Sequence, residues 1–442
     1  MTVNFSRRDA FKISGAALGG FAMGSMSIGC GSGDADSSDD DPTQRYTYFD
    51  ELAEFHPGEP IDPNAMRITF LGSSCMPRLT QACNSVFVQL GNGDSFVFDC
   101  GTGVVVKYYA MGIGLDQMDK IFLTHLHADH MGDVSFVYGF GPSVNRRSPL
   151  YIWGPGPSGV ESPPNSGIYY DDGTAAFCKN LQELMRWHNE SQSFLPTTYA
   201  DPYAQAPPYL DIDPNKIDAY DLVCAELDWR RNPGIAYDRN GVLIKHFPVV
   251  HCRQGAIGYR LEWNGLSMVF TGDTKPSYNV IDNASGVDVL IHEIVMSPQD
   301  WVQKALHVPP VPEANYQKAL QGAQAVQDSS HTPQKGYGYI LSQLDEPPRL
   351  AVGTHFQASD DTVQVAMQDI RSYYPQGELI IATDLLVLDV SKTEIRQRRA
   401  VVSGFTYQAP AKFDRPAATT AKYDSPIAQL DMSSVIDPKN FQ

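Results

Sequence analysis

Charged side chains are scarce in this 442-residue chain, at 19%, and basic ones are scarcer still, with 33 Lys and Arg against 51 Asp and Glu. The net charge of −18 argues against a binder of long polyanions, which gains affinity when clustered cations release counterions. A bilayer-spanning run of about 20 apolar residues is missing, and so are internal repeats. What the chain has in quantity is apolar surface: 42% hydrophobic residues, enough to place it among globular proteins rather than disordered ones.

The apolar stretch from Ile13 to Ile28 follows Ser6-Arg7-Arg8-Asp9-Ala10-Phe11-Lys12, which resembles a twin-arginine export signal covering residues 1–29. Those residues carry a net charge of +2, so their removal leaves −20. Cys30, after Ser27-Ile28-Gly29, resembles a lipoprotein cleavage box and would provide membrane attachment by lipidation, on the periplasmic side. The small, acidic residues that follow read as a flexible tether over 30–64. The folded domain is expected over 65–402, with an aperiodic tail over 403–442. Six further cysteines, Cys75, Cys83, Cys100, Cys178, Cys224 and Cys252, leave their pairing open.

From Arg67 to Leu71, Ser85 to Leu90, Ser95 to Asp99 and Lys120 to Thr124 the pattern predicts strands, with a Gly91-Asn92-Gly93-Asp94 turn between the second and third. A second sheet is expected from Gly241–Val250, Ala256–Trp263, Leu266–Phe270, Val287–Ile291, Arg349–Val352, Leu379–Ile381 and Leu385–Val390. Helices at 313–326, 333–343 and 361–373 alternate with these strands, which predicts an α/β fold of the αββα sandwich type. Two insertions interrupt it, at about 142–240 and 297–327. The first is read as a long loop whose Tyr169, Tyr170, Trp187, Phe194, Tyr199, Tyr203, Tyr209, Tyr220 and Trp229 could wall a site or pack on one another.

The chemistry concentrates in Thr124-His125-Leu126-His127-Ala128-Asp129-His130. On extended backbone His125 and His127 point the same way, while Asp129 and His130 can turn toward a second centre. Four potential ligands within six residues predict a site for two divalent metal ions. Mixed imidazole and carboxylate donors favour Zn2+, with Mn2+ or iron also compatible.

This run, preceded by a strand and by Phe98-Asp99-Cys100-Gly101, resembles the metallo-β-lactamase superfamily. The resemblance extends to His251 after Phe247-Pro248-Val249-Val250, to Asp273 in Thr271-Gly272-Asp273-Thr274, and to His355 in Gly353-Thr354-His355-Phe356. It implies one ion held by His125, His127 and His251, a second by Asp129, His130 and His355, and Asp273 bridging both. Leu71-Gly72-Ser73, Gly258-Tyr259-Arg260, Val289-Leu290-Ile291-His292-Glu293 and Ser330-His331-Thr332-Pro333 are similar to the tRNase Z-like branch, which also holds certain arylsulfatases. On that likeness His331 resembles a proton donor or oxyanion stabiliser, Glu293 would orient it or a ligand, and Asp99 would steady the ligand loop without touching metal. The candidate catalytic residues are therefore Asp129, Asp273, His331 and Glu293.

Together these imply an exported hydrolase in which metal-activated water attacks a small ester: a sulfate ester, a phosphodiester or a lactone. Nucleic acid is not the expected partner, because of the charge, the leader, and the His355-Phe356-Gln357-Ala358-Ser359 run, where tRNA nucleases carry His-Phe-Ser-x-Arg. A ribonuclease Z-like phosphodiesterase is the alternative. A β-lactamase, or a redox metalloprotein on the same scaffold, ranks lower. Leu126 and Ala128 stand where redox members carry a carboxylate in this motif, and no flavodoxin-like segment follows.

Overall fold

The computed structural model describes residues 52–193 and 219–403. The expected signal, Cys30, and nearly all of the expected tail lie outside them, as do Phe194, Tyr199, Tyr203 and Tyr209 of the first insertion. Seven strands open the fold: β1 (Ala53–Phe55), β2 (Met66–Gly72), β3 (Ser85–Leu90), β4 (Ser95–Phe98), β5 (Lys120–Phe122), β6 (Leu150–Pro155) and β7 (Leu222–Leu227). The second sheet takes β8 (Gly234–Arg239), β9 (Val242–Pro248), β10 (Ile257–Trp263), β11 (Leu266–Phe270), β12 (Val289–Glu293), β13 (Leu350–Thr354) and β14 (Leu379–Ile381). The chain then returns to the first sheet with β15 (Leu386–Val390) and β16 (Ile395–Ala400). The strand orders are β1-β16-β15-β2-β3-β4-β5-β6-β7 and β14-β13-β12-β11-β10-β9-β8.

Period-two alternation sorts the side chains between three apolar layers. On β2 and β3, Met66, Ile68, Phe70, Val86 and Val88 face the layer between the sheets, while Leu71 and Phe87 face the outer layer beneath helices Val105–Ala110, Val134–Val144 and Thr174–Ser193. On β12, Val289 and Ile291 face inward and Leu290 faces a third layer, which also takes in Tyr337, Ile340 and Leu341 of helix Gln334–Ser342 and Val363, Ala366 and Ile370 of helix Asp360–Arg371. Helices therefore cover both outer faces, giving the αββα sandwich.

Three expectations change. The alternation of Leu385–Val390 suits the second sheet, but β15 lies in the first, antiparallel to β2 with Leu388 opposite Ile68. Alternation alone cannot choose between two sheets that share one apolar layer. The stretch 142–240 is more regular than a long loop: β6 and β7 extend the first sheet, β8 borders the second, and Thr174–Ser193 is a 20-residue helix. Finally, the fold reaches back before Ala65, because β1 pairs in parallel with β16. Phe55 there is buried under the guanidinium groups of Arg67 and Arg398, 4.7 and 4.6 Å from its ring centre, a cation–π arrangement that fixes the edge strand.

Candidate metal centre

At the ends of β4 and β5 the loops are tied together by a single carboxylate. Asp99, fully buried, accepts the backbone N–H of Thr124 at 2.8 Å and its hydroxyl at 2.8 Å, and lies 2.6 Å from His130 Nδ1. That network fixes the turn from strand to helix through the histidine run, and it orients the His130 ring so that Nε2 faces inward. Two glycines make the close approach possible. A Cβ on Gly101 would sit 2.2 Å from the Asp129 carbonyl, and one on Gly272, which has φ +58°, 2.5 Å from Thr124.

Side chains from four loops then converge. His125 Nε2 lies 2.9 Å from His127 Nδ1, which lies 3.2 Å from His251 Nε2. Asp273 Oδ2 is 3.9 Å from His125 Nε2 and 3.8 Å from His251 Nε2. The other oxygen of the same carboxylate, Oδ1, is 3.2 Å from His130 Nε2 and 3.3 Å from His355 Nε2. Asp129 Oδ2 completes that group, 3.2 Å from His355 Nε2 and 3.6 Å from His130 Nε2. Within each group the ligand atoms lie within 4.8 Å of one another. His355 reaches its place with φ at +59°, a left-handed backbone uncommon for residues with a Cβ and concentrated at functional sites.

Divalent ions suit this donor set. The outer nitrogens are occupied from behind: His125 Nδ1 by the Thr124 hydroxyl at 3.1 Å, His251 Nδ1 by the Ser330 carbonyl at 2.8 Å, and His130 Nδ1 by Asp99. The inner nitrogens face each other at 2.9 to 3.2 Å, close to the edge of about 3.3 Å of a tetrahedron with metal–nitrogen bonds of about 2.05 Å. His130 Nε2 and Asp273 Oδ1 are buried and make no hydrogen bond of acceptable geometry despite their 3.2 Å separation. Burial pushes His251 down to about 4, which keeps it in the neutral form that binds metal. His130 runs the other way: burial opposes its charge, but Asp273, Asp129 and Asp99 around it hold it well above its ordinary value. Three carboxylates thus call for positive charge at this point.

The sequence profile of the metallo-β-lactamase superfamily matches residues 79–142, the segment that carries the histidine run. Ribonuclease Z of Mycobacterium avium (strain 104) is 28% identical over 232 residues, 52% of this chain and 70% of that protein. Ribonuclease Z of Mycobacterium sp. (strain KMS) is 25% identical over 288 residues, 64% and 85%. Residues 79–142 thus match the metallo-β-lactamase superfamily, and the chain is similar in sequence to ribonucleases Z. Among solved structures, human tRNase Z, short form, is 18% identical, covers 73% of this chain and 98% of its own, and superposes with a TM-score of 0.44.

Beside the two ligand groups stands a third pair. His331 Nδ1 is 2.9 and 3.0 Å from the two oxygens of Glu293, and Glu293 also accepts the Thr274 N–H at 2.6 Å. Burial pulls the His331 imidazole down, but the Glu293 carboxylate outweighs it and pushes the ring up to about 9. The His331 ring lies 5.1 Å from that of His251 and 5.6 Å from that of His355, centre to centre, so it borders both groups.

Other sequence candidates separate from the site. His292 is buried against Tyr337, with Nδ1 2.6 Å from the Glu293 carbonyl. His246 is buried on β9 beside β8. Of the insertion's aromatics, Tyr220 is in the core, Trp229 donates to the Pro157 carbonyl at 3.1 Å, and Tyr169, Tyr170 and Trp187 are exposed. The Thr124, Ser330 and Cys252 contacts with ligand histidines were not foreseen, since a partner residue leaves no spacing signature when it comes from another loop.

Proposed function

We propose that the chain is a dinuclear metal phosphodiesterase built on His125, His127, Asp129, His130, His251, Asp273 and His355. The supporting observation is the split of the Asp273 carboxylate, one oxygen to each ligand group. A single residue serving both groups makes sense for two ions a few ångströms apart that share an in-line displacement at phosphorus. When bound, such ions supply Lewis acidity and an ionised water.

The chain's own residues do the rest. Asp273, held well below the usual carboxylate range by His355 and His130 although burial opposes its charge, stays ionised and accepts hydrogen bonds from incoming water. His331 anchors Nδ1–H on Glu293, which leaves its opposite nitrogen for the substrate, and a protonated ring there can donate to the departing oxygen. Glu293, fixed by the Thr274 N–H, keeps that ring in one orientation.

Phosphodiesters are favoured over sulfate esters and lactones because the sequence relatives are ribonucleases Z. Their name also brings nucleic acid back as a substrate, which the charge of −18 had argued against. The test is a panel on the zinc-loaded protein: bis(4-nitrophenyl) phosphate, a 3′-extended tRNA precursor, 4-nitrophenyl sulfate, a lactone and a β-lactam, with His127→Ala and a chelator as controls. Metal-dependent cleavage of the phosphodiesters is expected. Turnover of the sulfate or lactone with neither phosphodiester cleaved would refute the proposal. Cleavage of the small diester with the RNA untouched would set the polymer aside and keep the chemistry.

A further inference from the structure

Each ligand imidazole presents one nitrogen to the centre and turns the other outward. Thr124 meets the outer nitrogen of His125, Asp99 that of His130, and Ser330 that of His251. His127 is the most exposed of the four, and its outer nitrogen, Nε2, faces the Cys252 thiol at 3.7 Å. Because Nδ1 of His127 lies among the nitrogens of His125 and His251, its proton belongs on Nε2, from which it donates to sulfur, a weak acceptor.

The thiol is not loose. Its neighbour Arg253 donates from Nε to the Asp172 carboxylate at 2.8 Å and to the Ser158 hydroxyl at 3.2 Å, and pairs with Asp172 through Nη2. On the other side, the Val250 carbonyl accepts the Lys275 N–H at 2.7 Å and the Val250 N–H donates to the Thr274 hydroxyl at 3.2 Å. The segment Val250 to Arg253 is therefore pinned at both ends, and Cys252 is carried against His127. Independently of the thiol, the centre it borders holds the buried, unpartnered Asp273 Oδ1 and His130 Nε2, the mark of a site that takes a cation.

We propose that Cys252 is a positioning residue for His127: its sulfur holds the Nε2 side of the ring and so keeps Nδ1 aimed at the first ion. This rests on the metal-centre reading above but not on any substrate. It also makes the thiol a point at which soft electrophiles act on the hydrolase, since an alkylated sulfur beside Nε2 would push the ring from its place.

The experiment is chelator competition for zinc on the full chain, comparing wild type with Cys252→Ala, Cys252→Ser and His127→Ala, together with cobalt spectra of each. Cys252→Ala is expected to weaken one of the two ions by about 10-fold, the low end for loss of an outer hydrogen-bond partner, and to leave the other unchanged. Cys252→Ser, which restores an acceptor, should recover most of that loss, a rescue that a mere packing role would not produce. Equal zinc affinity in wild type and Cys252→Ala overturns the inference. So does a sulfur-to-cobalt charge-transfer band that vanishes in Cys252→Ala, because the thiolate would then be a ligand. A wild-type chain that holds no ion overturns both this inference and the metal-centre reading, whereas two ions with no effect of Cys252 overturn only this one.

Discussion

At the scale of single residues, the His331–Glu293 pair makes the sharpest claim. An imidazole pushed up to about 9 is protonated at neutral pH, so its acid form is the one available to a leaving oxygen. The rate should hold through neutral pH and fall as pH rises through about 9. Glu293→Gln removes the charge that outweighs burial, so the alkaline limb should move to lower pH. His331→Ala should cost about 100-fold or more in kcat, the usual scale for a general acid. Profiles of kcat/KM against pH for wild type and Glu293→Gln provide the check, and superimposable alkaline limbs would remove His331 from the proton-donor role. Glu293 and Asp273 were legible in the sequence because each stands at or beside a strand end with a recognisable neighbourhood, whereas His331, between two helices, was reached only through the likeness of Ser330-His331-Thr332-Pro333. Cys252 was not legible, since its meaning depends on which loop its sulfur meets.

At the scale of elements, strands were readable wherever both faces are apolar and turn residues bound the run, as in β2, β3 and β10. Membership of a sheet was not. Leu386, Leu388 and Val390 of β15 face the shared central layer, and the same alternation would serve either sheet. The pairing of β8 with β9 shows a second kind of hidden constraint. Gly234 stands opposite His246, and a Cβ there would lie 2.1 Å from the imidazole, so the ring occupies space that only glycine leaves. Burial pushes His246 down to about 4, and its Nδ1 has no hydrogen-bond partner. A histidine kept neutral in the fold binds a proton more readily once unfolded. Stability should therefore be full above about pH 6.5 and be lost as pH falls from 6.5 toward 4, by about 3 kcal/mol from this residue. Urea midpoints across that range should fall less steeply for His246→Phe than for wild type; parallel slopes would mean that the ring is already solvated.

For the whole molecule, the two sheets act as a frame that carries the candidate metal groups between their loops. The metal groups draw on the loop after β5, the loop after β9, the loop after β11 and the loop after β13, so both halves of the sandwich contribute ligands. An ion bound to this arrangement stabilises the folded state by mass action, by about 2.7 kcal/mol at 100 times its dissociation constant. That should raise the melting temperature by several degrees for a chain of this size. The rise should be strongly reduced in Asp273→Ala, which removes the carboxylate common to both groups, and in His127→Ala. It should persist in His331→Ala, because His331 Nδ1 is taken by the Glu293 carboxylate at 2.9 Å, although Asp273, Glu293, His331 and His355 also offer ligand atoms within 4.8 Å of one another. Differential scanning fluorimetry with and without zinc separates these cases. Loss of the zinc-induced rise in His331→Ala would make His331 part of the ion-binding frame, and the acid limb of the mechanism would then need another donor.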